Sequence, residues 1–434
     1  MFKTLASAFK TPELRKKILI TLLLLLIYRV GCYLPVPGIL PDTYSAQVGD
    51  GASLLTLLNA VTGSALSNGA FLALGVTPYI NASIIVQLLT VGIPALERLS
   101  KQGEDGKEKI NLITKIVALV LAVAQGIGNV LGFGTKCLAP IFGENLLWLT
   151  AVFVVLILVA GTCFTMWLGD RITDQGIGNG LSLIIFIGII ASVGISLTNA
   201  VVSIFGGNLN ALWELLGFLA MVFVVFTLIV FFDLAERKIP VQYAKQIKGR
   251  KMYGGQSSYI PLKINANGVM PIIFATAIIT FPNLIMQLCG VTRDSGWFAK
   301  FYYDYLGAGG WVYSILVGLL ILGFAYFYAQ IQFNPADVSQ NIQQNGGFIP
   351  GVRPGRPTVD YLSKISKRIT LFGAIFLAFI AIVPSIVFQA VVGGSIGLLN
   401  AFTATGMLIV VSVAIELNTQ LNAQILMKRH KNLL

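Results

Sequence analysis

The chain is 434 residues long, 56% apolar and only 11% charged, with a formal net charge of +12. Soluble domains carry about 25% charged residues, so the deficit marks long stretches whose surroundings cannot solvate charge and excludes an ordinary soluble domain. The positive charge lies in short segments between apolar runs, which is a pattern of membrane topology rather than of nucleic-acid binding.

A basic segment, residues 1–17, precedes the first apolar run. That run has no small-residue cleavage site and leads into a proline-rich exit, so it reads as a first span rather than a removable signal. Spans are expected at about 18–37, 73–93, 114–134, 147–168, 180–200, 213–233, 268–288, 310–330, 370–390 and 395–416. Each holds the roughly 20 residues that cross a hydrocarbon layer at about 1.5 Å per residue. The last two share one uncharged run and are expected to hinge near Gly393 and Gly394. Between spans 1 and 2, residues 51–72 are uncharged yet rich in Gly, Ser and Asn. The piece around 62–71 is too short and too polar to span, so it is either a surface segment or a short helix resting in a cavity of the protein.

Ten spans place both termini on one side. Of the 30 Lys and Arg residues, 26 then fall on that side and three (Lys136, Arg293, Lys300) fall opposite, with Arg29 inside span 1. This asymmetry predicts cytoplasmic termini, and adding or removing one span would scramble it. Anionic lipid or an acidic partner is a secondary attraction for the same charge.

Catalytic chemistry is missing from the pattern. The single histidine, His430, rules out a histidine metal cluster within one chain, and Cys32, Cys137, Cys163 and Cys289 have no metal spacing and read as packing residues. No H-E-x-x-H or phosphate-binding loop is present, so neither metal nor cofactor is expected and any nucleotide energy must come from a partner. A secondary transporter for a small solute would need convergent polar groups near the membrane midplane, and the spans are almost free of acids. The rival of a non-conducting scaffold stays open. Two long loops, about 234–266 and 331–369, carry many of the cations. Alternation of Ile239, Val241 and Tyr243 hints at a short strand in the first, and prolines in the second display Arg353 and Arg356 stiffly. Such loops read either as ordinary cytoplasmic charge or as a docking surface for a large partner.

Four motifs, in order along nearly the whole chain, resemble the SecY/Sec61 family of protein-translocation channels. They are Phe71 to Leu88 (FLALGVTPYINASIIVQL), Gly169 to Gly180 (GDRITDQGIGNG), Glu236 to Pro240 (ERKIP), and Val352 to Thr358 (VRPGRPT). The resemblance implies an all-α membrane protein with ten transmembrane helices in two pseudo-symmetric inverted halves and a short re-entrant plug helix. The halves would be 18–200 and 201–416, followed by a cytoplasmic tail, 417–434. It implies a passive, gated channel of the bacterial plasma membrane, not an enzyme. Unfolded secretory polypeptides would cross it, and membrane proteins would leave sideways between spans 2 and 3 and spans 7 and 8. The pore ring would be Val76, Ile80, Leu181, Ile185, Ile273 and Ile409, where Val76/Ile80 and Leu181/Ile185 are four apart and can each share a helix face. The plug would comprise Thr62, Gly63, Ser64, Ala65, Leu66, Ser67, Asn68 and Gly69. Arg237, Lys238, Lys248, Arg250, Lys251, Arg353 and Arg356 would dock the motor ATPase SecA or the ribosome, including its RNA. Pro78, Asn179 and Asn265 would lie near the gate. SecE and SecG subunits, signal sequences, nascent polypeptides and anionic lipids complete the partners the resemblance implies.

Overall fold

The computed structural model describes residues 9, 11–40, 59, 62–100, 102–133, 137–141, 146–207, 209–243, 246–248, 251–253, 257–265, 268–288, 296–302, 311–392 and 404–431. Ten long helices stand at the ten expected span positions: α1 (Pro12–Gly31), α2 (Thr77–Gly92), α4 (Glu104–Phe133), α5 (Leu147–Gln175), α6 (Gly180–Phe205), α7 (Leu209–Leu234), α8 (Met270–Leu288), α10 (Trp311–Gln332), α12 (Arg356–Val392) and α13 (Ala404–Lys431). The shorter α3 (Pro94–Ser100), α9 (Trp297–Phe301) and α11 (Pro335–Gln344) lie between them. Among the described residues, seven helices are long and apolar enough to cross a membrane, and an eighth if the bent pair α2 and α3 counts as one span. The 105° bend between those two falls at Ile93, just before Pro94, which cannot continue the backbone ladder and disfavours helix at the residue it follows. α1 begins among Arg15, Lys16 and Lys17 and carries Arg29 in its last turn, which dilutes its hydropathy.

Helix ends differ from the expected spans. α12 starts at Arg356 rather than near 370, and α13 continues to Lys431 rather than ending near 416. Both extensions are polar but rich in helix-forming residues, so they continue as helix outside the hydrocarbon, where polarity carries no penalty. The expected hinge at Gly393 and Gly394 lies outside the described residues.

Helix contacts show the two halves. In the first, α2 packs on α4, α4 on α5, α5 on α6, and α1 on both α5 and α6. Five spans later the same pattern returns: α8 packs on α10, α10 on α12, α12 on α13, and α7 on both α12 and α13. Five is odd, so the second half crosses the membrane in the inverse sense. The halves meet where α4 touches α8 and α6 touches α7 and α13. One hydrophobic core runs through both, from Leu25 and Tyr28 of α1 to Met407–Val413 of α13. Outward positions are apolar too, for instance Trp213, Leu219, Phe223 and Phe231 of α7, as expected of a lipid-facing helix.

The loop after α7 is a β-hairpin, with β1 (Glu236–Tyr243) antiparallel to β4 (Ser257–Lys263). At its tip β2 (Gln246–Lys248) pairs with β3 (Lys251–Tyr253). The strand hinted at by alternation is real, with Ile239 and Val241 buried and their neighbours exposed. A short β5 (Gly347–Phe348) from the second loop adds to the other edge of β1 through Tyr243↔Gly347 and Gln242↔Phe348.

Candidate pore, plug and docking surface

Tight backbone contact positions the centre of the first half. Gly169 of α5 and Gly180 of α6 meet so closely that a Cβ at Gly180 would collide with the Gly169 carbonyl. At the α5–α6 turn, Gly178 takes a φ of 87°, a conformation that suits glycine. Asn179 then caps α6, its Oδ1 accepting from the amides of Leu181 (3.1 Å) and Ser182 (3.4 Å). Thr21 of α1 accepts from Ile177 N at 3.2 Å, and Thr173 accepts from Gly180 N at 2.9 Å. The Gly169–Gly180 motif is therefore a rigid joint, and Leu181 leaves it packed directly against Gly169.

From that joint α6 runs into the main hydrophobic cluster, to which its Leu183, Ile184, Ile185 and Ile189 belong. Val76 (4% exposed) and Ile185 (9%) belong to the main hydrophobic cluster, and Ile80, Leu181 and Ile409 pack against it. These five come from α2 and its lead-in, α6 and α13, and so from both halves. Ile273 is half-buried on α8 beside Ile272, itself part of that cluster. Pro78 is buried in the first turn of α2, where proline's missing N–H costs nothing.

The polar segment before α2 packs into the bundle. Asn59 and Thr62 are helical, and 63–69 run as consecutive turns. The reason for turns is local: Gly63, Ser64 and Gly69 have φ of 69°, 68° and 57°, left-handed values that interrupt a right-handed helix. The segment closes on itself, with Ser67 N donating to Asn59 Oδ1 at 2.9 Å and Ser67 Oγ to Ser64 O at 3.0 Å. Ala65 (0%) and Leu66 (2%) are buried, in the main cluster and in a second one around Val154 and Leu158 respectively. Its exit is stitched to the end of α1, since Val36 N donates to Gly69 O and Phe71 N to Leu34 O.

On the side of the termini the two basic loops form one body. Ile239, Val241, Ile342, Ile349, Leu362 and Ile365 make a common core. Arg237 and Lys238 are exposed on β1, and Arg353 and Arg356 are exposed at the lead-in to α12. Lys238 stands 4.9 Å from the Tyr259 ring centre and 3.5 Å from Glu236. Thr358 Oγ1 donates to Arg353 O at 2.8 Å, fixing the turn that presents both arginines. Lys248 and Lys251 face each other in the β2–β3 register, while Arg250 lies outside the described residues.

Three connections went unread in the sequence. Asn265 Nδ2 donates to Asp233 Oδ1 at 2.6 Å, and Ser412 Oγ donates to Asp233 Oδ2 at 2.7 Å. The hairpin root is thereby joined to α13 three residues from Ile409. Tyr328 of α10 donates to Gln87 of α2, a polar contact between the halves. Arg29 of α1 donates to Gly63 O. A carboxylate at a helix C-terminus, as Asp233 is, opposes the helix dipole and could have marked the first.

Long apolar helices in two inverted halves, packed on a shared apolar core, define a multi-pass membrane protein. Comparison with known proteins places it: the SecY family model matches residues 70–418. The chain is 40% identical over its full length and the full length of the protein translocase subunit SecY of Streptomyces galbus. It is 39% identical, again with complete coverage of both chains, to that of Mycobacterium tuberculosis (strain ATCC 25618 / H37Rv). The solved structure described as "The structure of a protein conducting channel" superposes with a TM-score of 0.66 at 19% identity, covering 94% of this chain and 92% of that one. The chain belongs to the SecY family. As a member of that family it is a protein-conducting channel, which translocates polypeptides through a gate.

Proposed function

We propose that Val76, Ile80, Leu181, Ile185, Ile273 and Ile409 are the constriction through which an unfolded chain passes, and that residues 62–69 plug it at rest. Support comes chiefly from one observation: five of the six pack on a single apolar cluster contributed by both halves, beside the buried segment. Apolar side chains close around a polymer without hydrogen-bonding it and exclude ions by dewetting. The channel is passive. A signal sequence opens the seam between α2 and α4 on one side and α8 and α10 on the other, which also releases membrane segments sideways into lipid.

Energy comes from SecA or the translating ribosome, docked on the composite body that carries Arg237, Lys238, Lys248, Arg250, Lys251, Arg353 and Arg356. Guanidinium groups there meet acidic side chains of the motor or phosphates of ribosomal RNA. SecE and SecG complete the complex, and the bacterial plasma membrane, with its anionic lipids, houses it with both termini cytoplasmic. Asn265 supports the gate indirectly, through Asp233 and α13.

A stalled secretory chain bearing a photo-crosslinker tests this. It should label cysteines placed at positions 80, 185, 273 and 409. Labelling confined to outward positions such as Leu219 and Phe223 of α7 would rule the pore out.

A further inference from the structure

Arg29 breaks the charge pattern of the chain. It sits in the last turn of α1, at the opposite end of that helix from Arg15, Lys16 and Lys17. Topology disfavours a cation on that side, and a charge within a span is costly unless the protein engages it.

The engagement is specific. The Arg29 guanidinium donates to Gly63 O at 3.2 Å and to Tyr33 Oη at 3.3 Å, and lies 5.3 Å from the Tyr33 ring centre. One helical turn on, Cys32 Sγ lies 3.9 Å from Thr62 O. Two successive carbonyls of the 62–69 segment are therefore held from one face of α1. The far side of Gly63 is closed by Gly188 of α6, whose Cα and O stand 3.1 Å from where a Cβ would be. Arg29 itself occupies the rest of that space. Next in sequence, Ser64 has a φ of 68°, a left-handed conformation that non-glycine residues leave unless held. Among the described residues no aspartate or glutamate forms an ion pair with Arg29. The acceptors described for it are neutral, and water can replace them without leaving a buried charge unpaired.

We propose that Arg29 is the latch of the resting channel, a positioning residue that pins the strained Thr62–Ser64 corner between α1 and α6 and releases it when the pore opens. The inference rests on reading 62–69 as the plug.

Resting ion conductance of the full channel complex in planar bilayers tests both, with gel filtration checking assembly. Arg29→Gln should raise conductance several-fold, toward the level of a 62–71 deletion, and should add nothing in the deletion background. Arg29→Lys keeps the charge but not the planar fork and should fall between parent and Gln. Tyr33→Phe, which removes one hydrogen bond and no charge, should leak less than either. A deletion that leaks beside an Arg29→Gln channel that seals would overturn the latch and keep the plug. A deletion that seals as the parent does would overturn the plug reading and the latch with it. Further leak from Arg29→Gln on top of the deletion would mean that Arg29 acts on the pore itself, and the latch would again be wrong.

Discussion

The 62–69 segment and the β1–β4 hairpin are both excursions from the helical bundle, and they are held by opposite means. The segment has no ladder. Left-handed corners, a few bonds to its own backbone and one arginine keep it among buried apolar groups. The hairpin has seven paired positions, a third strand from the other loop, and a core of its own. The roles proposed above would account for the difference. A stopper has to leave its seat at a small free-energy cost, which few and strained contacts allow. A surface pushed by a large partner has to pass force on without deforming, which regular pairing over a packed core allows.

The comparison breaks first if the hairpin body is soft. Ile239 is 1% exposed and touches both loops' core, so Ile239→Ala should cost the body about 2–5 kcal/mol, the usual range for truncating a buried Ile. Faster hydrogen exchange across β1, β4 and β5 together is the expected result, whereas faster exchange in β1 alone would show that the loops do not act as one body.

A smaller effect is expected from charge on an intact body. Arg356→Glu exposes the wrong sign at the start of α12 while leaving the core untouched. SecA-driven export into inverted vesicles should fall several-fold with channel abundance unchanged. Normal export would remove Arg356 from the docking surface.

Much of this architecture was legible because hydropathy and length mark spans directly: all ten helices stand where apolar runs of sufficient length occur. The ends of α12 and α13 were not, because a polar helix leaving the membrane has no hydropathy signal. The residues of the proposed ring could be paired only locally, by four-residue spacing on α6 and at the start of α2. That five of them share one apolar cluster depends on the Gly169–Gly180 contact and on the packing of α6 against α13, which no local pattern encodes. The 62–69 segment was readable as polar and short, but its turns come from φ values at Gly63, Ser64 and Gly69 that a glycine count alone does not predict. Asp233 and Ser412 are 179 positions apart in sequence, and Gln87 and Tyr328 are 241 apart. Periodicity carries no information about partners at that distance.

The Gln87–Tyr328 contact refines the comparison, because it lies between the halves rather than in either excursion. Gln87 is half-buried on α2, its Nε2 donating to Ser83 Oγ at 3.2 Å while its carbonyl accepts from Tyr328. Across the seam, Tyr328 packs edge-on to Phe274 of α8 at 5.0 Å. If this seam is the gate proposed above, one polar bond among apolar groups would give it a preferred closed register without the strength of a salt bridge. Interhelical hydrogen bonds in membranes average about 0.6 kcal/mol, so Gln87→Leu should shift the closed-to-open ratio by about a factor of three. Fluorescence transfer between labels on α2 and α10 would read the shift as a larger open population. Tyr328→Phe should give the same change, and the double variant no more than either single one, since both remove one interaction. Additive effects would mean that the two side chains act separately, and an unmoved distribution would mean that the seam is held by apolar packing alone.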